Sequence, residues 1–553
     1  MFIRVVKQKR GDKLYRHLQI AESFRDPAKG NAPRTRILVQ LGTVEGLGEE
    51  QIEKLIAGLQ RAIGRESTAT GAPELLLARD FGHVHAVGGV WDGLGLSALL
   101  DQCRLAGRSS ADVSALVRLL VINRICDPCS KLALLDWLDS VWARDQTAPS
   151  YHRLLRAMDR LIAIKDRAEP LIATRLLAER EAVDLVFYDI TSTYFEGERS
   201  LVDDDVRRHG YSRDHRGDRR QVVVGLVMTR DGIPLCHHVF PGNTADKTTV
   251  VAVVADLKQR FHLKRVVFVG DRGMLSEANL EHLLGEEVGF IVAHPVRKNA
   301  QATAVIGAVR PTFDAAVAQE QYREELREGV RFVVAYAPEI AADTRANRLA
   351  RLAKADLWIK DVQRKLANPS GRGKPPTAQG AYDRIRDYLR DRTLLGLYEV
   401  ELIGDRLSVK KNRKALAWEE TIDGVLMLET TDLKLPAAEV VTRYKELAEI
   451  ERGWRTLKSS LLLRPVYHWT ERRILAHIFI CVLALQVERW MRNRLKTVSV
   501  PKALRLLQQI KVGQLSVNGK TMIVATKPTA EQKELLQTLG VKPIPTRFPD
   551  MRL

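Results

Sequence analysis

Apolar residues recur along the chain with different periods, and these periods divide it into regions of different predicted structure. Residues 1–45 contain short β-prone runs, FIRVV and RILVQLG, separated by basic turns such as KQKRGDK, and Gly42 ends the last run. This pattern predicts a small, basic antiparallel sheet. Over residues 46–180 the apolar residues recur three and four positions apart, as in ADVSALVRLLVINRI, and predict a helical region.

The pattern changes at Asp184, where continuous β-prone runs begin. DLVFYDIT is apolar enough for a strand buried on both faces. QVVVGLVMT and IPLCHHVF follow and are separated by Arg230–Gly232, which is a hairpin signal. A helical stretch over 247–261, the strand RVVFVGD, the helix SEANLEHLLG and the strand GFIVAHP complete the region. This order predicts an α/β fold, the first part of an RNase H-like core, over residues 181–295.

Residues 296–435 have a mixed pattern. Arg345–Lys365 is a basic amphipathic helix, Tyr382–Arg392 is helical, and GLYEVELIGDRLSVKKN and GVLMLETT are strand-like. We interpret this region as a domain inserted within the core.

Helical patterns dominate the remainder of the chain. A long helix is predicted to begin at Pro436, and apolar helices run to about residue 494, so residues 436–500 are expected to complete the RNase H-like core. The tail, residues 501–553, has a helix, the small β element KVGQLSVNGKTMIVAT and a closing helix.

The length of the chain indicates several domains, and its net charge indicates the kind of partner it binds. The chain has 553 residues, enough for several domains, and carries 87 Lys and Arg against 68 Asp and Glu, a formal net charge of +19. Such an excess fits a polyanionic partner, because each neutralised phosphate releases a counterion. The helical region 46–180, with Arg153, Arg156 and Arg160 on one stretch, is therefore a candidate DNA-binding region. The alternative is a solvated basic face.

Cysteine usage and hydropathy indicate the compartment. Five cysteines, an odd number in a large chain, argue against a disulfide framework, and Cys126–Cys129 is a lone CxxC without the second ligand pair of a zinc site. The N-terminus has no signal-peptide pattern. The most apolar stretch, Ile474–Leu485, is too short to span a bilayer and contains His477. We expect a cytoplasmic protein with no membrane partner.

Two aspartates stand at the ends of predicted strands in the α/β region. Asp189 lies near the end of LVFYDIT, and Asp271 ends VVFVGD. Strand ends are where open α/β sheets bind ligands, and hard carboxylate oxygens suit Mg²⁺ or Mn²⁺. A pair of ions about 4 Å apart stabilises both oxygens of an in-line displacement at phosphorus. One such Asp alone is more often a cap or turn residue, so it is the pair that indicates a metal site.

A third carboxylate is expected from a helix beside the first strand. The segment YKELAEIERGWRTLK places Tyr444, Glu451 and Lys458 seven residues apart, on one face of a continuous α-helix. Glu451 would bind metal, Lys458 would contact a phosphate as a point charge, and Tyr444 would hydrogen-bond a phosphate or stack. The alternative is a solvated face on which Glu451 pairs with Arg455.

These residues resemble the DDE triad of transposases, and the segment around Glu451 resembles the YREK signature of the IS4-type group, Y-x2-R-x3-E-x6-K. Tyr444, Glu451 and Lys458 match its spacing, whereas Leu447 stands at the Arg position and Arg455 is a candidate to compensate. The runs YDITSTYFEGE, GYSRDHRGDRRQVVVGL, VFVGDRGMLSEANL and IERGWRTLKSSLLLRPVYHW resemble the IS1634-like branch more closely. The resemblance covers nearly the whole chain.

The resemblance implies a DNA transposase of an insertion sequence, acting in the bacterial cytoplasm at the nucleoid. Asp189 would bridge two Mg²⁺ or Mn²⁺ ions, Asp271 and Glu451 would each hold one, and Arg272 would contact a phosphate. The implied partners are double-stranded DNA, both terminal inverted repeats and target, and a second copy of the chain in the synaptic complex. Two alternatives are an RNase H-like nuclease or resolvase without strand transfer, and an inactive DNA-binding repressor derived from a transposase.

Overall fold

The structure, a computed structural model, describes most of the chain. The described residues are 1–11, 13–27, 30–44, 46–63, 74–103, 113–143, 149–178, 185–197, 205–261, 267–270, 277–314, 316–327, 329–368, 375–517, 520–545 and 547–548. They fall into two compact units. The smaller unit comprises Met1–Asp80, Ile510–Lys527 and Ile544–Leu553, and the larger comprises Phe81–Gln509 and Pro528–Pro543.

The secondary structure alternates helical and strand-rich stretches. The strands are β1 (Phe2–Arg10), β2 (Lys13–Asp26), β3 (Ala32–Thr43), β4 (Glu74–Asp80), β5 (Leu185–Tyr194), β6 (Gln221–Thr229), β7 (Pro234–Pro241), β8 (Val267–Gly270), β9 (Gly289–Ala293), β10 (Gln321–Arg327), β11 (Val330–Tyr336), β12 (Tyr398–Ile403), β13 (Arg406–Lys411), β14 (Val425–Thr430), β15 (Lys511–Val517), β16 (Lys520–Ala525) and β17 (Arg547–Phe548). The α-helices are α1 (Glu49–Ala62), α2 (Gly82–Gly93), α3 (Leu96–Gln102), α4 (Val113–Cys126), α5 (Ala133–Ser140), α6 (Tyr151–Ala163), α7 (Lys165–Leu177), α8 (Val250–Phe261), α9 (Glu277–Gly285), α10 (Ala300–Val309), α11 (Pro338–Ala367), α12 (Ala378–Asp391), α13 (Arg413–Ile422), α14 (Ala437–Lys445), α15 (Ala448–Arg455), α16 (Glu471–Arg494), α17 (Val500–Gln508) and α18 (Ala530–Thr538).

The smaller unit contains two antiparallel sheets. Strands β1, β2 and β3 pair in sequence order, which confirms the N-terminal sheet predicted from the alternating runs. The second sheet has the order β17-β16-β15-β4, so strands from the tail of the chain pair with β4 from its first eighty residues. That pairing of distant segments has no signature in the local sequence pattern.

The larger unit is built on a sheet of eight strands in the order β10-β11-β14-β9-β8-β5-β6-β7. Strands β5, β8 and β9 are parallel to one another, whereas β5, β6 and β7 form an antiparallel meander. The predicted strand, hairpin, helix, strand, helix, strand order is confirmed, and the mixed sheet is consistent with the predicted RNase H-like fold. In the parallel ladder Tyr188 pairs with Gly270, so Asp189 lies just beyond the end of β8. Strand β5 itself continues to Tyr194, so the prediction that Asp189 stands near the end of its strand is wrong.

Both faces of this sheet are covered, which explains why its central strands are nearly continuous apolar runs. On one face Val186, Tyr188 and Ile190 of β5 belong to a buried core that also contains residues of α8. Side chains alternate between the faces of a strand, so Asp189 points to the opposite face. There α15 contacts β5 and α16 contacts β7.

Three strands of the main sheet come from the region predicted to be an insertion. Strands β10, β11 and β14 extend the sheet beyond β9 through antiparallel pairs. The two ends of the segment between β11 and β14 lie next to each other, because Ala337 N donates to Gly424 O at 2.9 Å. It has a core of its own, in which side chains of α11, α12, β12 and β13 pack together.

Helix α16 runs through the middle of the helical part of the larger unit and contacts α2, α4 and α6. Its 24 residues are long and apolar enough to cross a membrane, but 89% of its apolar window is buried inside the protein. This burial is typical of the core helix of a soluble domain. The three arginines predicted to form a DNA-binding face, Arg153, Arg156 and Arg160, are exposed on α6.

Candidate active site

Asp189 occupies the centre of the candidate site, on the face of β5 that is covered by helices. Its side chain is half-buried, between the buried residues Tyr188 and Ile190. One carboxylate oxygen, Oδ1, accepts a hydrogen bond from the backbone N–H of Ile190 at 2.7 Å. The other, Oδ2, accepts one from the indole Nε1–H of Trp454 at 3.0 Å. These two bonds orient the carboxylate group.

Trp454 connects helix α15 to the middle of β5. Its ring is 6% exposed, and the residue before it, Gly453, lets the helix approach the sheet closely. A Cβ placed on Gly453 would lie 3.1 Å from Met228 Sδ of β6, tighter than an ordinary contact. The helix, its glycine and its tryptophan therefore act together to place the α15 backbone against the Asp189 strand.

Glu451 lies on α15, three residues before Trp454. Residues three apart on an α-helix are neighbours on its surface, so Glu451 is a neighbour of Trp454, the residue that bonds Asp189. Its side chain is exposed, and among the described residues it forms no ion pair. The alternative in which Arg455 neutralises Glu451 is therefore not realised in this conformation.

The helix that carries Glu451 is interrupted, and the single helix predicted from Pro436 is wrong on this point. Helix α14 ends at Lys445, and Leu447 N donates to Tyr444 O, three residues back, instead of continuing the α-helical ladder. Thr456–Ser460 is π-helical. Steps of seven residues keep one face only in a continuous α-helix, so the predicted shared face of Tyr444, Glu451 and Lys458 does not follow from their spacing.

Lys458 is bound by a carboxylate that sequence reasoning missed. Its Nζ donates to Asp214 Oδ1 at 2.8 Å, and Arg464 forms a second ion pair with the same oxygen. Asp214 is only 3% exposed. Burial lowers the pKa of Lys458, although Asp214 favours its charged form. A phosphate that reaches Lys458 would compete with Asp214 for the ammonium group.

The loop that carries Asp214 is fastened to the same strand as Asp189. The backbone N–H of Arg213 donates to Ser192 Oγ at 3.0 Å, and the Arg213 guanidinium pairs with Asp246. Lys458 thus lies near the end of β5 through a chain of contacts, Lys458 to Asp214 and Arg213 to Ser192. The sequence signal for this loop is its cluster of alternating basic and acidic residues, GYSRDHRGDRR.

Four further predicted site residues are Asp271, Arg272, Arg455 and Tyr444. Asp271 and Arg272 lie outside the described residues, whereas Gly270, the residue before them in the chain, is described as the end of β8. Arg455 is exposed at the end of α15 and lines a cavity. Tyr444 is half-buried on α14.

A second group of ligand-type side chains lies elsewhere in the sheet. Cys236 and His238 on β7 and Asp256 on α8 have ligand atoms within 4.8 Å of one another. Asp256 is already bound by Arg260 and lies 3.2 Å from His238 Nε2. Burial raises the pKa of the Cys236 thiol, which disfavours the thiolate that binds metals. The arrangement is that of a buried ion-pair network.

Comparison with known proteins gives matches over much of the chain. Residues 185–487 match the family described as the transposase DDE domain. Residues 3–71 match the N-terminal domain of IS1634 family transposases. Among solved structures, a piggyBac transposase synaptic complex with hairpin DNA has 9% identity and a TM-score of 0.38. That alignment covers 77% of this chain and 78% of the other. No curated protein matches the chain.

Proposed function

Since the chain belongs to the DDE transposase family, with the N-terminal domain of its IS1634 type, we propose that it is the DNA transposase of an insertion sequence. It binds the terminal inverted repeats of the element, cleaves a phosphodiester at each end with divalent metal, and joins the freed 3′ hydroxyl to target DNA.

The observation that carries the catalytic part of this proposal is the hydrogen bond from Trp454 to Asp189. It joins the strand and the helix on which the family resemblance predicts two of three catalytic carboxylates. Glu451 is one helical turn from Trp454. The third residue, Asp271, is the next in the chain after Gly270, the pairing partner of Tyr188, and Tyr188 precedes Asp189. Asp189, Asp271 and Glu451 are our proposed catalytic and metal-binding residues.

The donor set fits a hard divalent cation. Asp189 presents a carboxylate oriented by two hydrogen bonds, and Glu451 presents an exposed one that forms no ion pair within the described chain. All the proposed ligand atoms are carboxylate oxygens, which Mg²⁺ and Mn²⁺ prefer over soft donors. Two bound ions would lower the pKa of the attacking water and stabilise charge on the leaving oxygen. We propose that Asp189 contributes to both ion sites and that Asp271 and Glu451 each contribute to one.

Basic side chains around this site are proposed to hold the DNA strand. Lys458 is a point-charge donor to a phosphate, with Asp214 as its partner in the free protein. Arg455, at the exposed end of the Glu451 helix, is proposed to replace the signature arginine absent at Leu447. Tyr444 and Arg272 complete the proposed phosphate-binding set.

Double-stranded DNA is the proposed partner, in agreement with the net charge of +19. Two element ends must be brought together before strand transfer, so we propose a homodimer on DNA. Because its proposed substrates are chromosomal and element DNA, we propose that the protein acts in the bacterial cytoplasm, at the nucleoid, with no membrane partner.

The experiment is cleavage of a duplex carrying the element's terminal repeats, in Mg²⁺ and in Mn²⁺. Wild-type protein should nick at the repeat end and then join that end to a plasmid target. Asp189→Asn, Asp271→Ala and Glu451→Gln should each abolish nicking and leave repeat binding intact. The matched control is Glu471→Gln, an exposed glutamate at the start of α16. Nicking that survives all three changes would disprove the catalytic assignment. Nicking without joining would indicate a nuclease, and binding without nicking a repressor.

A further inference from the structure

A cavity of about 950 Å³ lies beside the end of the Glu451 helix, within the larger unit. One wall is the end of α15 and the π-helical turn, including Arg455 and Thr456, and another is the C-terminal end of α16. The N-terminus of α17 and the residues before it close a third side. Ligand pockets in proteins have volumes of about 300–1,000 Å³, so the space accommodates a nucleotide-sized group.

The lining of this cavity has a strong excess of positive charge. Its only acidic residue among those described is Glu488. Its cationic side chains are Arg452, Arg455, Arg489, Arg492, Lys496 and Arg505. Glu449, which is not in the lining, pairs with Arg452 and with Arg492 and offsets part of their charge. A concave surface with so many cations concentrates the positive potential and attracts anions.

Arg489 is the unusual member of this lining, because its side chain is only 2% exposed. Within the described residues its Nε and Nη2 atoms have no hydrogen-bond partner. The nearest carboxylate oxygen, on Glu488, lies 3.7 Å from Nε, beyond hydrogen-bonding distance. Burial lowers the pKa of Arg489, and burial raises the pKa of Glu488. A buried guanidinium whose ion pair lacks hydrogen bonds is costly, and an anion in the cavity would add to the negative charge that Glu488 supplies.

The start of α17 provides a second feature suited to an anion. Ser499, Val500 and Pro501 line the cavity, and the Ser499 side chain does not cap the helix. Pro501 has no N–H, so Ser499 and Val500 are the lining residues of this helix end that carry backbone N–H groups, and the helix dipole places partial positive charge there. Helix N-termini bind phosphate groups for this reason.

From the buried arginine, the basic lining and the helix N-terminus together, we propose that this cavity binds phosphate groups, and that it takes them from the DNA bound to the protein. The site is distinct from the carboxylates of Asp189 and Glu451. This proposal rests on the proposed function only in naming DNA as the ligand that carries the phosphate groups. It would grip a strand beside the Glu451 helix and so fix where that helix lies on DNA.

The first test measures phosphate binding without DNA or divalent metal. Inorganic pyrophosphate should raise the melting temperature of the full-length protein. The double variant Lys496→Gln/Arg505→Gln, which changes exposed residues of the lining, should lose this protection. Arg472→Gln removes an exposed arginine outside the lining and is the matched control. Arg489→Met should also lose this protection. If Arg489→Met does not fold, the double variant carries the test.

The second test asks whether the phosphate belongs to DNA. The slope of log affinity against log salt for a repeat duplex should decrease in magnitude by roughly 1 to 2 in the double variant, because each lost phosphate contact removes about 0.9. An unchanged slope with lost pyrophosphate protection would overturn the DNA assignment in favour of a free phosphorylated molecule. Absence of protection in wild type would overturn the site itself. Neither result affects metal-dependent nicking through Asp189, so failure of this proposal is distinguishable from failure of the proposed function.

Discussion

The indole of Trp454 gives the sharpest test of how the site is assembled. Trp454→Phe removes the Nε1–H that donates to Asp189 Oδ2 at 3.0 Å and keeps an aromatic ring in the space. A hydrogen bond to a charged group contributes about 1.5–3 kcal/mol. If that energy serves to orient the carboxylate, its loss corresponds to a roughly ten- to hundredfold slower nicking rate. Residues that orient metal ligands typically contribute about 10–100-fold to metal affinity or activity.

The assay is nicking of the terminal-repeat duplex as a function of Mg²⁺ concentration. We expect Trp454→Phe to need more Mg²⁺ for half-maximal rate, because Trp454 is a positioning residue that acts through Asp189. A merely structural role would lower the rate at every Mg²⁺ concentration without changing that midpoint. Trp418→Phe is the matched control, since its indole donates to the backbone oxygen of Val296 at 3.2 Å. An unchanged rate and midpoint in Trp454→Phe would refute the reasoning.

Three further predictions concern the framework around the site. Gly225→Ala should destabilise the protein by about 1–3 kcal/mol in chemical unfolding, because the new Cβ would lie 2.6 Å from the Tyr188 hydroxyl oxygen; equal stability would contradict this. Asp214→Asn should cost about 3 kcal/mol by leaving buried cations without their carboxylate, and adding Lys458→Met should recover part of it. Burial lowers the pKa of His237 from 6.5 to about 4, so the unfolded chain takes up the proton at a higher pH than the folded protein does. The free energy of unfolding should therefore fall by about 3 kcal/mol as pH drops from 6.5 towards 4. His237→Asn should flatten this pH dependence of the unfolding midpoint, and an identical profile would exclude the linkage.

The elements of the larger unit follow from the sequence where burial is two-sided. LVFYDIT and QVVVGLVMT are strands because nearly every side chain in them is buried, so apolar runs and turn signals are sufficient to find them. The register of the parallel pair brings Asp189 beside the end of β8, because Tyr188 pairs with Gly270, the last residue of that strand. The strand that carries Asp189 is therefore predictable from the residue pattern, whereas its position is not, because β5 continues through the polar residues that follow Asp189 to Tyr194.

The surroundings of the site could not be predicted in this way. The turn at Glu446 and Leu447 contains no glycine or proline. The helical spacing of apolar residues continues through it, so the sequence does not show that α14 and α15 are separate helices. The bonds from Trp454 to Asp189 and from Lys458 to Asp214 join residues more than 240 positions apart. Contacts of that kind depend on tertiary packing, which a local pattern does not contain.

The hydrogen bond between Ala337 and Gly424 has a consequence for how such proteins vary. Strands β11 and β14 are paired at Tyr336 and Val425. All the residues between these two positions therefore form one long hairpin connection of the main sheet. Closing a connection costs only about 0.6 kcal/mol more for each doubling of its length. The segment between β11 and β14 is thus attached to the main sheet at a single position. Replacing it with a short turn should leave β5, the strand that carries Asp189, intact. The length and content of this segment can therefore change between related proteins while the strand that carries Asp189 keeps its place in the sheet.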